Sequence, residues 1–396
     1  MGGKSIVLKS GLSGIVLIVG LFFFFPRTPS DSYGKIPILN SQCPPGFKKN
    51  ASNECIAINL YQQYDSPHNK GVGGLQTALP KIRDGFSPQE IDLGRYLFFD
   101  PVLSGDGSIS CASCHNPKKG FSDGLPTSIG SNGSKLKRAA PSLWNVAYLK
   151  KLFWDGRAAT LEEQMQGSLF SEEEMNNTPE NLLRRLNAID TYTTMFAEAF
   201  PDKNTSEAIQ LNEIYTALAA FQSSLISLNS KYDRYAHGYH EALSKKEIEG
   251  MNIFRSFVAR CAECHTPPLF TNQQFAVIGT PEPDGLPLDH GAEEPFNDKS
   301  LRGAFKVPSL RNIEKTAPYI HSGAFKTLRE AVEFYTKGRG HAVPDGEDLI
   351  VHWHIWEPNL SDHELDRLVD FLKTLTDETF TPQIPENLPS GLNPTI

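Results

Sequence analysis

Cys111-Ala112-Ser113-Cys114-His115 and, 150 residues further on, Cys261-Ala262-Glu263-Cys264-His265 decide the reading of this 396-residue chain. Two thiols at this spacing can add to the two vinyl groups of a haem while the imidazole beside the second thiol ligates its iron. A zinc ribbon would need two such Cys pairs about 15–20 residues apart, and a thioredoxin-like redox pair would need a βαβ setting that the flanking sequence lacks. Neither explains a His directly after each second Cys. The expectation is two covalently attached haem c groups, anchored at Cys111, Cys114, Cys261 and Cys264 and ligated by His115 and His265. What faces each iron from the other side then separates an electron carrier from a site that binds a small oxidant.

Around these motifs the sequence reads as helices. Ser87-Pro88-Gln89-Glu90, Thr160-Leu161-Glu162-Glu163, Ser244-Lys245-Lys246-Glu247 and Ser361-Asp362-His363-Glu364 each set a capping hydroxyl three residues before a Glu. Leu365, Leu368, Val369, Leu372 and Leu375 make one apolar stripe, and Ile214, Leu218, Phe221 and Leu225 make another. The fold class is mainly α. The long connections 120–140 and 266–304 are rich in Gly and Pro, and connections of that length need a buried group to wrap around. The repeat of the motif divides the body into two related halves, residues 86–238 and 239–380, followed by a tail, 381–396.

The chain is 39% apolar and 21% charged with a net charge of −8. It lacks the basic excess that nucleic-acid binding requires, and an acidic body favours basic partners. Lys4 and Lys9 precede an apolar run from Gly11 to Phe25 closed by Pro26 and Arg27, the pattern of an export signal. No small-x-small cleavage site follows, and a run extended back to Ile6 approaches membrane-spanning length, so residues 1–27 are expected to be a signal or an uncleaved membrane anchor, with residues 6–25 as the tether. The protein is then expected in the periplasm. Residues 28–85 read as an irregular leader, in which Cys43 and Cys55 bracket a polar, turn-rich stretch suited to a disulfide outside the cytoplasm.

From Ser87 to Asp377 the ordered motifs resemble the bacterial di-haem cytochrome c peroxidase family and its relative MauG. The resemblance rests on both CxxCH motifs, FSDG (121–124), RxxPSxxN (138–145), FWDGRA (153–158), LEEQ (161–164), EEM (173–175), VPSLRN (307–312), TAPYIHSG (316–323) and FLKTLTD (371–377). It implies two cytochrome-c-like haem domains in one chain. It also implies reaction with hydrogen peroxide at the first haem, with electrons drawn from a donor cytochrome or a substrate protein. Trp154 is similar to the family's tryptophan between the haems. Gln164 and Glu174 match the polar pair over the open face of the first haem, where a carboxylate can move the proton that O–O cleavage needs. The family's interdomain calcium ion is implied at the carbonyls of Thr316 and Pro318, a hard-oxygen site. Ala139, however, stands where the family has an asparagine. His321 matches a histidine near the second haem, where a structural role is the alternative.

Two departures bear on mechanism. Conventional members carry a His that caps the first haem until the second is reduced, but this chain reads Ser128-Ile129-Gly130-Ser131, so the first haem is expected to be open in every oxidation state. The second iron takes Met or Tyr downstream of its CxxCH in the family. Here the last Met is Met251, and Tyr335 falls too early to match. The stretch Val351-His352-Trp353-His354-Ile355-Trp356 lies where that ligand should come, giving His354, or second to it His352, as a bis-histidine ligand and a lowered potential. A di-haem peroxidase is the expected function. The rivals are a non-catalytic electron-transfer cytochrome and a haem-based sensor.

Overall fold

The computed structural model describes residues 39–58, 61, 79–202, 207–283, 286–337, 343, 346–356 and 358–396. The expected signal or anchor, 1–27, lies outside the described residues, as does much of the leader. No helix among the described residues is long and apolar enough to cross a membrane.

The described chain is mainly helical. It opens with a hairpin of β1 (Phe47–Lys49) and β2 (Cys55–Ala57), and Cys43 is disulfide-bonded to Cys55. The first half then holds α1 (Pro88–Phe99), the short thiol turn α2 (Cys111–Cys114), α3 (Leu161–Phe170), α4 (Pro179–Asn187), α5 (Asp190–Ala199) and α6 (Leu211–Ser223). After α7 (Lys231–Ala236), the second half holds α8 (Lys245–Phe254), the second thiol turn α9 (Cys261–Cys264), α10 (Glu293–Phe296), α11 (Leu328–Phe334) and α12 (Asp362–Lys373). Strands β3 (Phe275–Val277) and β4 (Ala304–Lys306) pair antiparallel, with Phe275 opposite Lys306.

Local chemistry accounts for the helix starts. Ser87, Ser244 and Ser361 each cap the N–H three residues on, and the Glu there reaches back to the cap. Thr160 makes only half of this arrangement, because the Glu163 carboxylate accepts from the Ala159 N–H, one residue before the cap.

The two halves repeat one helix crossing. A Cβ on Gly94 of α1 would lie 1.8 Å from the Ala217 carbonyl oxygen of α6, and one on Gly250 of α8 would lie 1.9 Å from that of Arg367 in α12. Only glycine lets the backbones come so close. Each crossing seeds its own apolar core. The first contains Leu93, Leu97, Leu218 and Phe221, and the second contains Met251, Phe254, Leu368 and Phe371. Tyr232 and Tyr235 of α7 pack with the second core, whereas Phe380, at the end of the second half, and Ile384 and Leu388 of the tail return to the first.

Polar clamps hold α7 to the second half and the two halves to each other. Arg311, fully buried, is bidentate to Asp233 at 2.6 and 2.7 Å, and the Tyr61 hydroxyl donates to the same carboxylate at 2.5 Å. Arg138 takes Asp289 through two nitrogens at 2.7 and 2.8 Å and also holds Asp155 at 2.6 Å.

Candidate functional site

Both thiol turns are built alike. The backbone N–H of His115 donates to the Cys111 carbonyl at 2.9 Å, and that of His265 to the Cys261 carbonyl at 2.9 Å. Each His then rests its Nδ1 on backbone carbonyls: His115 on Phe121 at 2.9 Å, with Pro141 also a partner, and His265 on Phe270 at 3.1 Å and Pro308 at 3.2 Å. A carbonyl can only accept, so Nδ1 carries the proton and Nε2 keeps its lone pair for a metal. Burial lowers the His115 pKa and takes that of His265 to about 4, which keeps both rings in the neutral, ligating form. None of Cys111, Cys114, Cys261 or Cys264 is in a disulfide. Burial holds the thiols of Cys111, Cys114 and Cys261 at about 12. They are protonated and sheltered thiols, unlike the activated thiolates of redox motifs.

A five-residue repeat stands behind each His, and sequence reading passed over it as a repeat. Pro141-Ser142-Leu143-Trp144-Asn145 and Pro308-Ser309-Leu310-Arg311-Asn312 play matching parts. The Pro carbonyl meets the His ring, and the Ser hydroxyl donates to the loop behind it: Ser142 to Gly120 at 2.7 Å, Ser309 to Leu269 at 2.6 Å. Both Asn residues take a left-handed backbone (φ 62° and 57°), and both amides bond Ser227. The signal was present as PSLxN written twice.

At the first site, the charge of Glu174 bears on Cys114 and His115. Gln164 on α3 gives its amide to Ser168 at 3.0 Å and shares no hydrogen bond with the thiol turn among the described residues. The Ser128–Ser131 stretch packs on the Glu174 loop, Ser131 N–H donating to the Glu174 carbonyl at 2.8 Å. Gly130 sits so close that a Cβ there would be 1.8 Å from the Glu173 carbonyl oxygen.

At the second site a large cavity is lined by Cys261, Cys264, His265, Trp154, Lys306 and His354, among mainly apolar neighbours. Its lining, apolar walls with the two thiols and the His265 imidazole of one CxxCH motif, fits a haem. Of the two histidines proposed for its far side, His354 lines the cavity, while His352 spends its Nδ1 accepting the His354 N–H at 3.3 Å. Both ring nitrogens of His354 are buried without a hydrogen bond. Glu263 Oε2 lies 2.5 Å from Nε2 but out of line for one. Tyr335, set aside in the sequence as too early, also reaches this cavity, where burial and the neighbouring thiols of Cys261 and Cys264 raise its phenol pKa.

Trp154 stands in the wall of the second cavity and is tied toward the first site. Its indole N–H donates to the Ala139 carbonyl at 2.8 Å, and the Ala139 N–H donates to the His321 carbonyl at 2.7 Å. Residues 139–142 thus line the second cavity while Pro141 and Ser142 hold the first His loop. His321, 2% exposed, stacks on Phe305 with centroids 3.9 Å apart and faces Glu282 at 3.2 Å. Thr316 and Pro318 line the same cavity, and among the described residues no acidic cluster suited to a metal ion occurs.

A family model described as di-haem cytochrome c peroxidase matches residues 88–241. The methylamine utilization protein MauG of Methylorubrum extorquens is 35% identical over 300 residues, 76% of this chain and 82% of its own. The cytochrome c551 peroxidase of Nitrosomonas europaea is 34% identical over 349 residues, 87% of this chain and 97% of its own. Among solved structures, a MauG-like protein associated with microbial copper homeostasis superposes with a TM-score of 0.68 at 34% identity, covering 78% of this chain and 96% of that one.

Proposed function

The chain belongs to the di-haem cytochrome c peroxidase family that includes MauG and is a haem peroxidase, and on that premise we propose that hydrogen peroxide is taken at the His115 site, fed with electrons through Trp154 from the His265 site. Bound haem supplies the iron that receives the oxidising equivalents of peroxide. The remainder falls to the chain. His115 and His265 present Nε2, each held by carbonyls behind Nδ1. Glu174 holds or passes a proton at the peroxide oxygens, and Gln164 orients them from α3. Support for Glu174 is its electrostatic reach to Cys114 and His115. The observation that carries the whole reading is the bridge of residues 139–142, which braces one His loop, lines the other cavity and accepts the indole N–H of Trp154.

His354 is the proposed second ligand of the His265 iron. What supports it is that His354 lines the cavity and neither of its buried ring nitrogens makes a hydrogen bond, Nε2 facing only the Glu263 carboxylate. A calcium ion on the carbonyls of Thr316 and Pro318 would complete itself with other carbonyls and water, since acidic ligands are wanting there among the described residues. Export to the periplasm is supported by the Cys43–Cys55 disulfide, a bond that persists in oxidising compartments, and residues 6–25 remain the proposed tether. The reductant is a cytochrome or a protein substrate. The missing cap at Ser131 and the imidazole at position 354 favour the protein substrate.

The test is the absorption and EPR spectrum of the diferric protein before and after one equivalent of peroxide. The reading requires a high-spin signal lost on mixing, and in Glu174→Gln a loss slowed by about 10²–10⁴-fold. Two low-spin haems indifferent to peroxide would return the chain to an electron carrier.

A further inference from the structure

Lys306 ends β4 with only 7% of its surface exposed. Its backbone N–H donates to the Trp154 carbonyl at 2.8 Å, and its side chain lines the cavity that holds Cys261, Cys264 and His265. An ammonium group taken out of water needs a partner of opposite charge. None is built into the chain among the described residues: no Asp or Glu lines this cavity, and none is paired with the Lys306 ammonium. The other cations of the wall are already engaged. Arg311 is bidentate to Asp233, and Arg260 lies 4.0 Å over the Phe257 ring with its Nε donating to the Phe257 carbonyl.

A second cation adds to the imbalance. Lys151 Nζ sits 4.4 Å over the ring of Phe275, the residue opposite Lys306 in the β3–β4 pair. Burial first, and Lys151 second, bring the Lys306 ammonium down to about 8. An acidic chain of net charge −8 thus keeps an uncompensated positive charge inside an apolar cavity. That arrangement calls for an anion from outside the polypeptide.

We propose that Lys306 is the counter-ion of a propionate carboxylate on the haem carried by Cys261, Cys264 and His265, so that the propionate edge of this haem faces Trp154. The inference rests on the haem reading of that site and adds an orientation to it. The thiols fix the vinyl edge and Lys306 the carboxylate edge. Electrons passing between the sites would then cross at the propionate edge, where the backbone of Lys306 is bonded to Trp154.

The experiment compares the holoprotein with Lys306→Gln and Lys306→Arg, counting covalent haems per chain as the pyridine haemochrome and measuring the potential of the second haem by spectroelectrochemistry. Two haems in all three proteins, with the second potential lowered in K306Q and kept in K306R, is the expected result, because an uncompensated carboxylate near the iron opposes the added electron. Loading of one haem in K306Q but two in K306R supports the same charge requirement. An unchanged potential in K306Q with both haems present overturns the proposal and leaves the haem reading intact. A wild-type potential that moves with added acetate would show Lys306 open to solution anions and would also overturn it. One covalent haem in the wild type would remove the haem reading and this proposal together.

Discussion

His354 carries the sharpest consequence at the scale of single residues. As an imidazole ligand it should hold the second iron low-spin and at low potential, so His354→Met should raise the potential of that haem and add a methionine-to-iron charge-transfer band. Unaltered spectra in that variant would remove His354 from the iron. The buried Arg311 gives an independent check on packing. Arg311→Met strands Asp233 and the Tyr61 hydroxyl without their cation, and should lower stability by about 3–5 kcal/mol in denaturant unfolding. The CxxCH anchors could be read from sequence because covalent attachment is fixed by spacing within five residues. Lys306 and the carbonyls of Phe121, Phe270 and Pro308 could not, since their roles come from contacts that only the folded chain creates. Tyr335 was judged by its distance along the chain and reaches the cavity through the fold instead.

At the scale of elements, the protein is two versions of one arrangement: a capped helix, a thiol turn, a PSLxN brace and a closing helix crossed at a glycine. The capping boxes were legible because their chemistry is local, and three of four formed in full. The glycines were not, because a mid-helix Gly looks like a weak helix residue until its partner helix is known. Gly94→Ala and Gly250→Ala should each force two backbones apart, losing about 1–3 kcal/mol of stability by thermal or urea unfolding. Each variant should loosen the half to which its crossing belongs, seen as faster amide exchange in α1 and α6 for the first and in α8 and α12 for the second. Equal loosening of both halves would mean that the two cores open as one unit.

Over the whole molecule, Arg138 ties the first half to the second through Asp289. Burial pushes the Asp289 carboxyl up, but the hydrogen bonds and charge of Arg138 outweigh it and hold the pKa below the usual carboxylate range. A carboxyl depressed in the folded state stabilises fully above its unfolded pKa of about 4 and loses that contribution as pH falls through the lower folded value. Asp289→Asn should therefore cost about 2 kcal/mol near neutral pH. In urea titrations the gap from the wild type should close below about pH 4. A gap independent of pH would assign the effect to shape instead of charge.

The returning tail has a consequence in time. Thr395 bonds Ser110 and Ser113, its carbonyl accepting from the Ser110 hydroxyl at 3.0 Å and its own hydroxyl accepting from that of Ser113 at 2.9 Å. Ser390 likewise donates to Asp100 at 2.7 Å. The first thiol turn is therefore fastened by residues synthesised almost three hundred positions after it. The half that emerges first is the half completed last, and a chain interrupted before Ser390 leaves the first thiol turn without its clasp.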